Sequence, residues 1–180
     1  MWHLHSVEKT IGTVIQLHPF RETSLIVQWS TRDHGLISTV AKGARRPKSG
    51  FAGKLDLFFK LEMDFIPNRR STLHTLREVA MIDPRLGLRG SYGQTLAAAY
   101  FTKLLVLVVE EGTPLGGLGD LLERGLDYLA KEPPTRKAIF FYEDEIGKML
   151  GMGDRGLKGI GEVYGTIPSI RKELLQKVAE

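Results

Sequence analysis

The chain has 180 residues, 42% apolar and 26% charged, which excludes a disordered or fibrous protein and suits one large or two small globular domains. The formal charge of +4 is uneven: residues 1–80 hold 12 basic and 7 acidic side chains, residues 81–180 hold 13 and 14, so a polyanionic partner is expected for the first half only. The absence of cysteine excludes a disulfide framework, a thiolate zinc site and a thiol nucleophile.

The opening residues carry no basic region followed by an apolar run. The most apolar segment, residues 96–109, is broken by Thr102 and Lys103 and falls short of the roughly 20 residues a membrane span needs. The expectation is a soluble cytoplasmic protein with no membrane partner.

Five runs in residues 1–80 read as strands: "TIGTVIQLH", "SLIVQWST", "GLISTVAKG", "LDLFFKLEMDFI" and "STLHTLREVAMI". In the fourth, Leu57, Phe59, Leu61 and Met63 alternate with Phe58, Lys60, Glu62 and Asp64. "TRDHG" between the second and third runs reads as a hairpin turn with Gly35 left-handed. Five short strands in so few residues predict a five-stranded oligonucleotide-binding (OB) barrel as domain 1–80.

Helix formers take over after Asp83-Pro84, predicting an all-helical domain over 81–150 and an α+β chain. Leu96, Tyr100, Leu104, Leu107 and Val108 follow helical spacing, with Gly112 as the stop. "GDLLERGLDYLAKE" gives a second helix with Asp120 as N-cap and Pro133-Pro134 as stop. "TRKAIFFYEDEIGKMLG" gives a third, with Thr135 as N-cap and Ile139, Tyr142, Ile146 and Met149 in one stripe. Segment 151–180 is a glycine-rich connector, predicted to be neither helix nor strand, followed by the short helix "SIRKELLQKVA".

The densest charge is "KGARRPKSG", where Lys42, Arg45, Arg46 and Lys48 fall within seven residues without an acid. Arginine and lysine neutralise phosphates without base-specific geometry. Gly43 and Gly50 would let backbone amides approach a phosphate, and Pro47 would limit the ordering cost. By charge alone the segment reads equally as a solvated turn.

Its context is more specific. "HPFRETSLIVQWSTRDHGLISTVAKGARRPKSG" closely resembles the N-terminal signature of the RecO family of bacterial recombination mediators, in which "E-T-S" opens a strand, a "T-x-x-x-G" turn follows, and the third strand runs into "A-K-G-A-R-R-P-K-S". These fall here at Glu22-Thr23-Ser24, residues 31–35 and residues 41–49. "SYGQTLAAAYFTKLL" and "AIFFYEDEIGKMLGM" look like parts of the family's helical domain, so the resemblance covers about residues 8–152. It implies an OB fold with a helical domain, binding of single- and double-stranded DNA, and annealing of complementary strands. It further implies assistance to RecA, with RecR, in displacing single-stranded DNA-binding protein (SSB), and capture of the acidic SSB tail by the helical part. No bond-making chemistry, no enzymatic activity and no cofactor are implied. Many members carry a four-cysteine zinc module after the helices. Glycine-rich residues 151–165 stand there instead, so zinc is not carried over, and the final segment looks shortened.

Within that frame, Arg21, Arg32, Lys54, Arg69 and Arg70 extend the phosphate track, although each singly also reads as a solvated charge. Of Phe20, Trp29 and Phe51, the nearest aromatics, Phe51 is the first choice for stacking on an unpaired base, worth about 1–3 kcal/mol, while Trp29 belongs to the core. An SSB tail needs an apolar cleft rimmed by cations, for which Lys103, Arg124, Arg136 and Lys137 are candidates. A competing reading is a non-enzymatic adaptor that docks RecR or SSB with little DNA binding of its own.

Other motifs add little. His3 and His5 would share one side of a strand, but no third ligand lies nearby in sequence, and His18, His34 and His74 are scattered. "EDE" at 143–145 reads as an exposed acidic patch. The Gly-Ile-Gly of "LKGIGEVYG" resembles the phosphate-gripping hairpin of helix-hairpin-helix motifs, yet Pro168 falls where that motif continues its helix, and a flexible connector is the preferred reading. Gly151, Gly153 and Gly156 have dinucleotide-loop spacing without a preceding strand.

Overall fold

A computed structural model describes residues 6–179; His3 and His5 lie outside the described residues. The chain forms two compact units: Met1–Pro84 with Glu110–Leu115, and Arg85–Val109 with Gly116–Glu180.

The first unit is a closed barrel of β1 (Glu8–Phe20), β2 (Ser24–Thr31), β3 (Gly35–Ala41), β4 (Lys60–Ile66) and β5 (Leu73–Asp83), in the order β1-β2-β3-β5-β4. β1 is long because it serves two partners. Residues 8–13 pair with β4 and residues 12–20 with β2, and a register shift between Val14 and Gln16 bends it. Closure comes from a short parallel contact of Ser38, Thr39 and Val40 with Leu73, His74 and Thr75. Alternation fills the interior: Leu61, Met63 and Phe65 of β4 are buried with Val14, Val27, Ile37 and Leu76 around Trp29. Trp29 belongs to this core, its Nε1–H donating to Thr39 Oγ1 at 2.8 Å. The β2–β3 turn needs glycine at position 35 twice over. The φ of Gly35 is +71°, and a Cβ there would collide with the Thr113 carbonyl.

The β4 strand starts later than its apolar run. Phe58 turns left-handed at φ +69° and its N–H bonds Val14 O at 2.8 Å, so ladder pairing begins only at Lys60. The long β3–β4 connection is not loose. Successive turns close it, with Arg46 N–H to Gly43 O, Ser49 N–H to Arg46 O, Ala52 N–H to Ser49 O and Lys54 N–H to Phe51 O, each near 3 Å. Ala44, Phe51, Leu55 and Leu57 anchor it on the barrel core.

The second unit holds α1 (Tyr92–Val108), α2 (Gly117–Leu129), α3 (Arg136–Met149), α4 (Gly156–Tyr164) and α5 (Ile170–Lys177). Thr135 caps α3 as expected, accepting from Ala138 N–H at 3.1 Å, and Ser91 caps α1 likewise. Leu96, Tyr100, Leu104, Leu122, Leu126, Ile139, Tyr142 and Ile146 are buried. Arg85 is 2% exposed and held by Glu123 at 2.7 Å and Asp127 at 2.8 Å.

Five expectations change. α1 ends at Val108, and Gly112 instead donates to Leu36 O at 2.7 Å within the barrel unit. α2 starts at Gly117 with Gly116 as N-cap, leaving Asp120 inside the first turn, where its charge complements the helix dipole. Met149, in the last turn of α3, is exposed rather than part of the buried stripe. Glu143 is buried at 4% exposure instead of forming an exposed acidic patch, because Tyr100 and Arg171 satisfy its carboxylate. The glycine-rich stretch is largely α4, so its Gly-Ile-Gly lies within a helix and makes no phosphate-gripping hairpin. Packing overrides propensity there: Ile160 is buried, and a Cβ at Gly147 would lie 3.1 Å from Gly156 Cα, tighter than ordinary contact, so glycine eases the close approach of α3 and α4.

Candidate nucleic-acid interface

β1 stops at Phe20 and β2 starts at Ser24, so Arg21, Glu22 and Thr23 form the turn, Arg21 in the left-handed region at φ +52°. The basic segment leaves β3 next to that turn and is tied to it. Arg45 N–H donates to Thr23 O at 2.8 Å, Arg45 Nη1 to Glu22 O at 3.3 Å, and Gly43 N–H to Ser24 Oγ at 3.3 Å. The Gly43 amide is therefore engaged and not presented to a phosphate. The β4–β5 connection forms the third wall, ordered by its own side chains. Arg70 N–H donates to Asn68 Oδ1 at 2.9 Å, Asn68 N–H to His74 Nδ1 at 3.0 Å, and Leu73 N–H to Ser71 Oγ at 3.1 Å. His74 tilts against Phe65, ring centroids 5.5 Å apart. Burial holds its pKa below the usual imidazole value, favouring the neutral ring whose Nδ1 accepts.

Between these connections lies a cleft of about 770 Å³ lined by Arg21, Glu22, Thr23, Lys42, Gly43, Arg46, Asn68 and Ser71, with Phe20, Ser24, Val40, Leu73 and Thr75 from the strands. Lys42, Arg45, Arg46 and Lys48 are all exposed. Among the described residues, Lys42, Arg46 and Lys48 meet no carboxylate. Glu22 is the one acid on the lining, so cations outnumber it and the cleft attracts anions.

Arg21 therefore shares one cleft with Lys42 and Arg46, which are distant from it in sequence. Arg45 and Lys48 are exposed in the same loop, and Arg69 and Arg70 are exposed between the cleft residues Asn68 and Ser71. Arg32 sits in the β2–β3 turn, at the other end of an eight-residue strand that spans about 26 Å. Lys54 is exposed but does not line the cleft, and Phe51 is half-buried against the barrel core. The cleft aromatic is Phe20, with the Arg21 guanidinium 5.1 Å from its ring centroid. Asn68, Ser71 and Thr23 are lining residues that sequence reasoning missed. The turn signal "PNRRS" between two strand runs was the available clue.

The helical unit has a separate groove of about 370 Å³ beside α2 and α3. Its apolar lining includes Phe101 and Tyr142, stacked at 3.8 Å and 6°, with Leu121, exposed Tyr128 and exposed Phe141. Arg124 and Lys137 supply its positive charge. Arg136 lines a different cavity, of about 520 Å³, with Arg171 and Lys172, and Lys103 is exposed on α1. Among the described residues no group of three or more His, Cys, Asp or Glu could hold a metal ion, and no helix is long and apolar enough to cross a membrane.

Five strands closed in this order, with a cationic cleft between the β1–β2 and β4–β5 connections, define an OB-fold barrel of the kind that takes oligonucleotides and oligosaccharides. Residues 5–85 match the family described as Recombination protein O N terminal. Curated relatives bear the name DNA repair protein RecO. That of Rhodopirellula baltica is 32% identical over 141 residues, covering 78% of this chain and 52% of the relative. That of Chromobacterium violaceum is 30% identical over 146 residues, covering 81% and 58%, and that of Ralstonia nicotianae 37% over 113, covering 62% and 40%. Residues 5–85 thus carry the N-terminal domain of the RecO family, and the chain spans about half the length of these relatives.

Proposed function

We propose that this chain is a recombination mediator that binds single- and double-stranded DNA through the barrel cleft and anneals complementary strands in the cytoplasm. With RecR, it would assist RecA loading on SSB-coated DNA. The observation that carries this reading is the convergence of Arg21, Lys42 and Arg46 on one cleft, flanked by Arg45, Lys48, Arg69 and Arg70. Phosphate neutralisation at the cleft screens repulsion between two strands and releases counterions, which needs no catalytic group. The work is done by binding alone.

The SSB tail fits the groove beside α2 and α3. A stacked aromatic base suits the apolar end of such a peptide, and Arg124 and Lys137 suit its acidic residues. That groove also motivates the second reading, an adaptor that docks protein partners with little DNA binding.

An oligonucleotide titration at low and moderate salt separates the two. The mediator binds tightly and loses affinity with salt. In it, joint replacement of Lys42, Arg45, Arg46 and Lys48 by alanine weakens all sequences alike and lowers the salt slope by about one unit per lost phosphate contact. Binding to an SSB tail peptide alone would leave the adaptor, and an unchanged slope would remove the DNA assignment from this cleft.

A further inference from the structure

Resting on the reading of the cleft as the DNA site, we infer that it selects an unpaired nucleotide, with the base stacked on Phe20 and the adjoining phosphates held by Arg21, Lys42 and Arg46.

Three observations lead there. Phe20 is the only aromatic side chain lining the cleft among the described residues, and it is half-buried at the end of β1. Val40 and Leu73 line the cleft from the strands together with the hydroxyl residues Ser24 and Thr75, whereas the loop residues supply the cations. An uncharged base with a charged rim matches a nucleotide whose base points inward and whose phosphates stay at the edge. The third observation concerns Arg21. Its guanidinium lies over Phe20, 5.1 Å from the ring centroid, and its backbone holds a left-handed conformation that side chains other than glycine rarely adopt. Arg21 therefore covers the ring face. A phosphate arriving at the rim draws the guanidinium outward and uncovers the ring for the base.

A duplex cannot use this arrangement. Its base faces are already covered by their neighbours, and exposing one costs the unstacking and unpairing energy that stacking on Phe20 would return. Duplex DNA then binds through phosphates only, whereas single-stranded DNA gains the stacking contact.

Fluorescence anisotropy on the full chain tests this, with a thymidine homopolymer and a duplex of equal length as probes. F20A should lower single-strand affinity about tenfold and leave duplex affinity and both salt slopes unchanged. F20L, which keeps apolar bulk but has no aromatic face, should lose as much, and F20Y should bind like the parent. An F20L that binds the homopolymer as the parent does, or an F20A that weakens both probes equally, overturns the inference. The variant K42A/R46A separates this failure from that of the underlying reading. If it weakens both probes while F20A weakens neither, stacking is wrong and the cleft assignment stands. If it weakens neither probe, the cleft is not the DNA site and the inference falls with it.

Discussion

Arg171 and Glu143 form a two-point ion pair: Nε lies 2.6 Å from Oε1 and Nη2 2.9 Å from Oε2. The Glu143 side chain is 5% exposed and takes a further hydrogen bond from Tyr100 Oη at 2.6 Å. One carboxylate thus fastens α5 to α1 and α3. Burial and the adjoining carboxylate also push the Tyr100 phenol pKa well above its usual value, so Tyr100 remains the donor throughout the neutral range.

Removing one partner should therefore cost more than removing both. R171A leaves a buried carboxylate without its cation and should destabilise the helical unit by about 2–3 kcal/mol in denaturant unfolding, less than a fully buried pair because Arg171 is partly exposed. The double variant R171L/E143L should recover much of that loss. Additive single-variant losses would show that the pair is not coupled.

The cations of the barrel should divide by position. K42A and R46A each remove a charge on the cleft and should lower DNA affinity several-fold, with a shallower salt dependence. R32A, at the far end of β2, should have little effect in the same titration. Equal losses for all three would show that the DNA path is not confined to the cleft.

His74 predicts a pH dependence. Burial, the largest influence, lowers its pKa below the usual 6.5, although Glu111 and Glu8 raise it in part. The unfolded chain therefore takes up the proton first as pH falls, and stability declines below about pH 6.5 until the folded ring also titrates. Protonation also removes the Nδ1 acceptor of the Asn68 N–H that orders the third cleft wall. Thermal melts from neutral to mildly acidic pH should show a steeper decline for the parent than for H74Q. Parallel curves would exclude the histidine as the source.

Gly125 reverses a usual rule. Alanine for glycine inside a helix ordinarily stabilises by about 0.5–1 kcal/mol. In α2 a Cβ at position 125 would lie 2.9 Å from Phe101 Cδ2 and would press on the Phe101–Tyr142 stack. G125A should instead destabilise by about 1–2 kcal/mol and weaken binding of an acidic, aromatic-ended peptide to the groove. An unfolding midpoint above that of the parent would contradict the packing described.

Much of the architecture was legible because it is local. Period-two alternation, the Gly35 turn, the Thr135 cap and the unbalanced charge of residues 42–48 are each properties of a few neighbouring residues, and the family signature lies in one continuous stretch. The cleft is not local. Lys42 shares a cleft with Arg21 through the β2–β3 ladder, which pairs Leu25 with Ala41, and with Asn68 because β3 closes parallel to β5 over three residues. Phe20 lines that cleft, whereas Phe51 packs against the barrel core. α4 and Glu143 show the complementary lesson. Glycine propensity and an acidic run describe isolated segments, whereas burial beside α3 and a guanidinium from α5 decide what those segments become. Sequence alone determined which segments become strands and where the positive charge accumulates. Only tertiary structure decided which of those charges share a cleft and which aromatic ring they surround, because long-range strand pairing sets distances that no local pattern encodes.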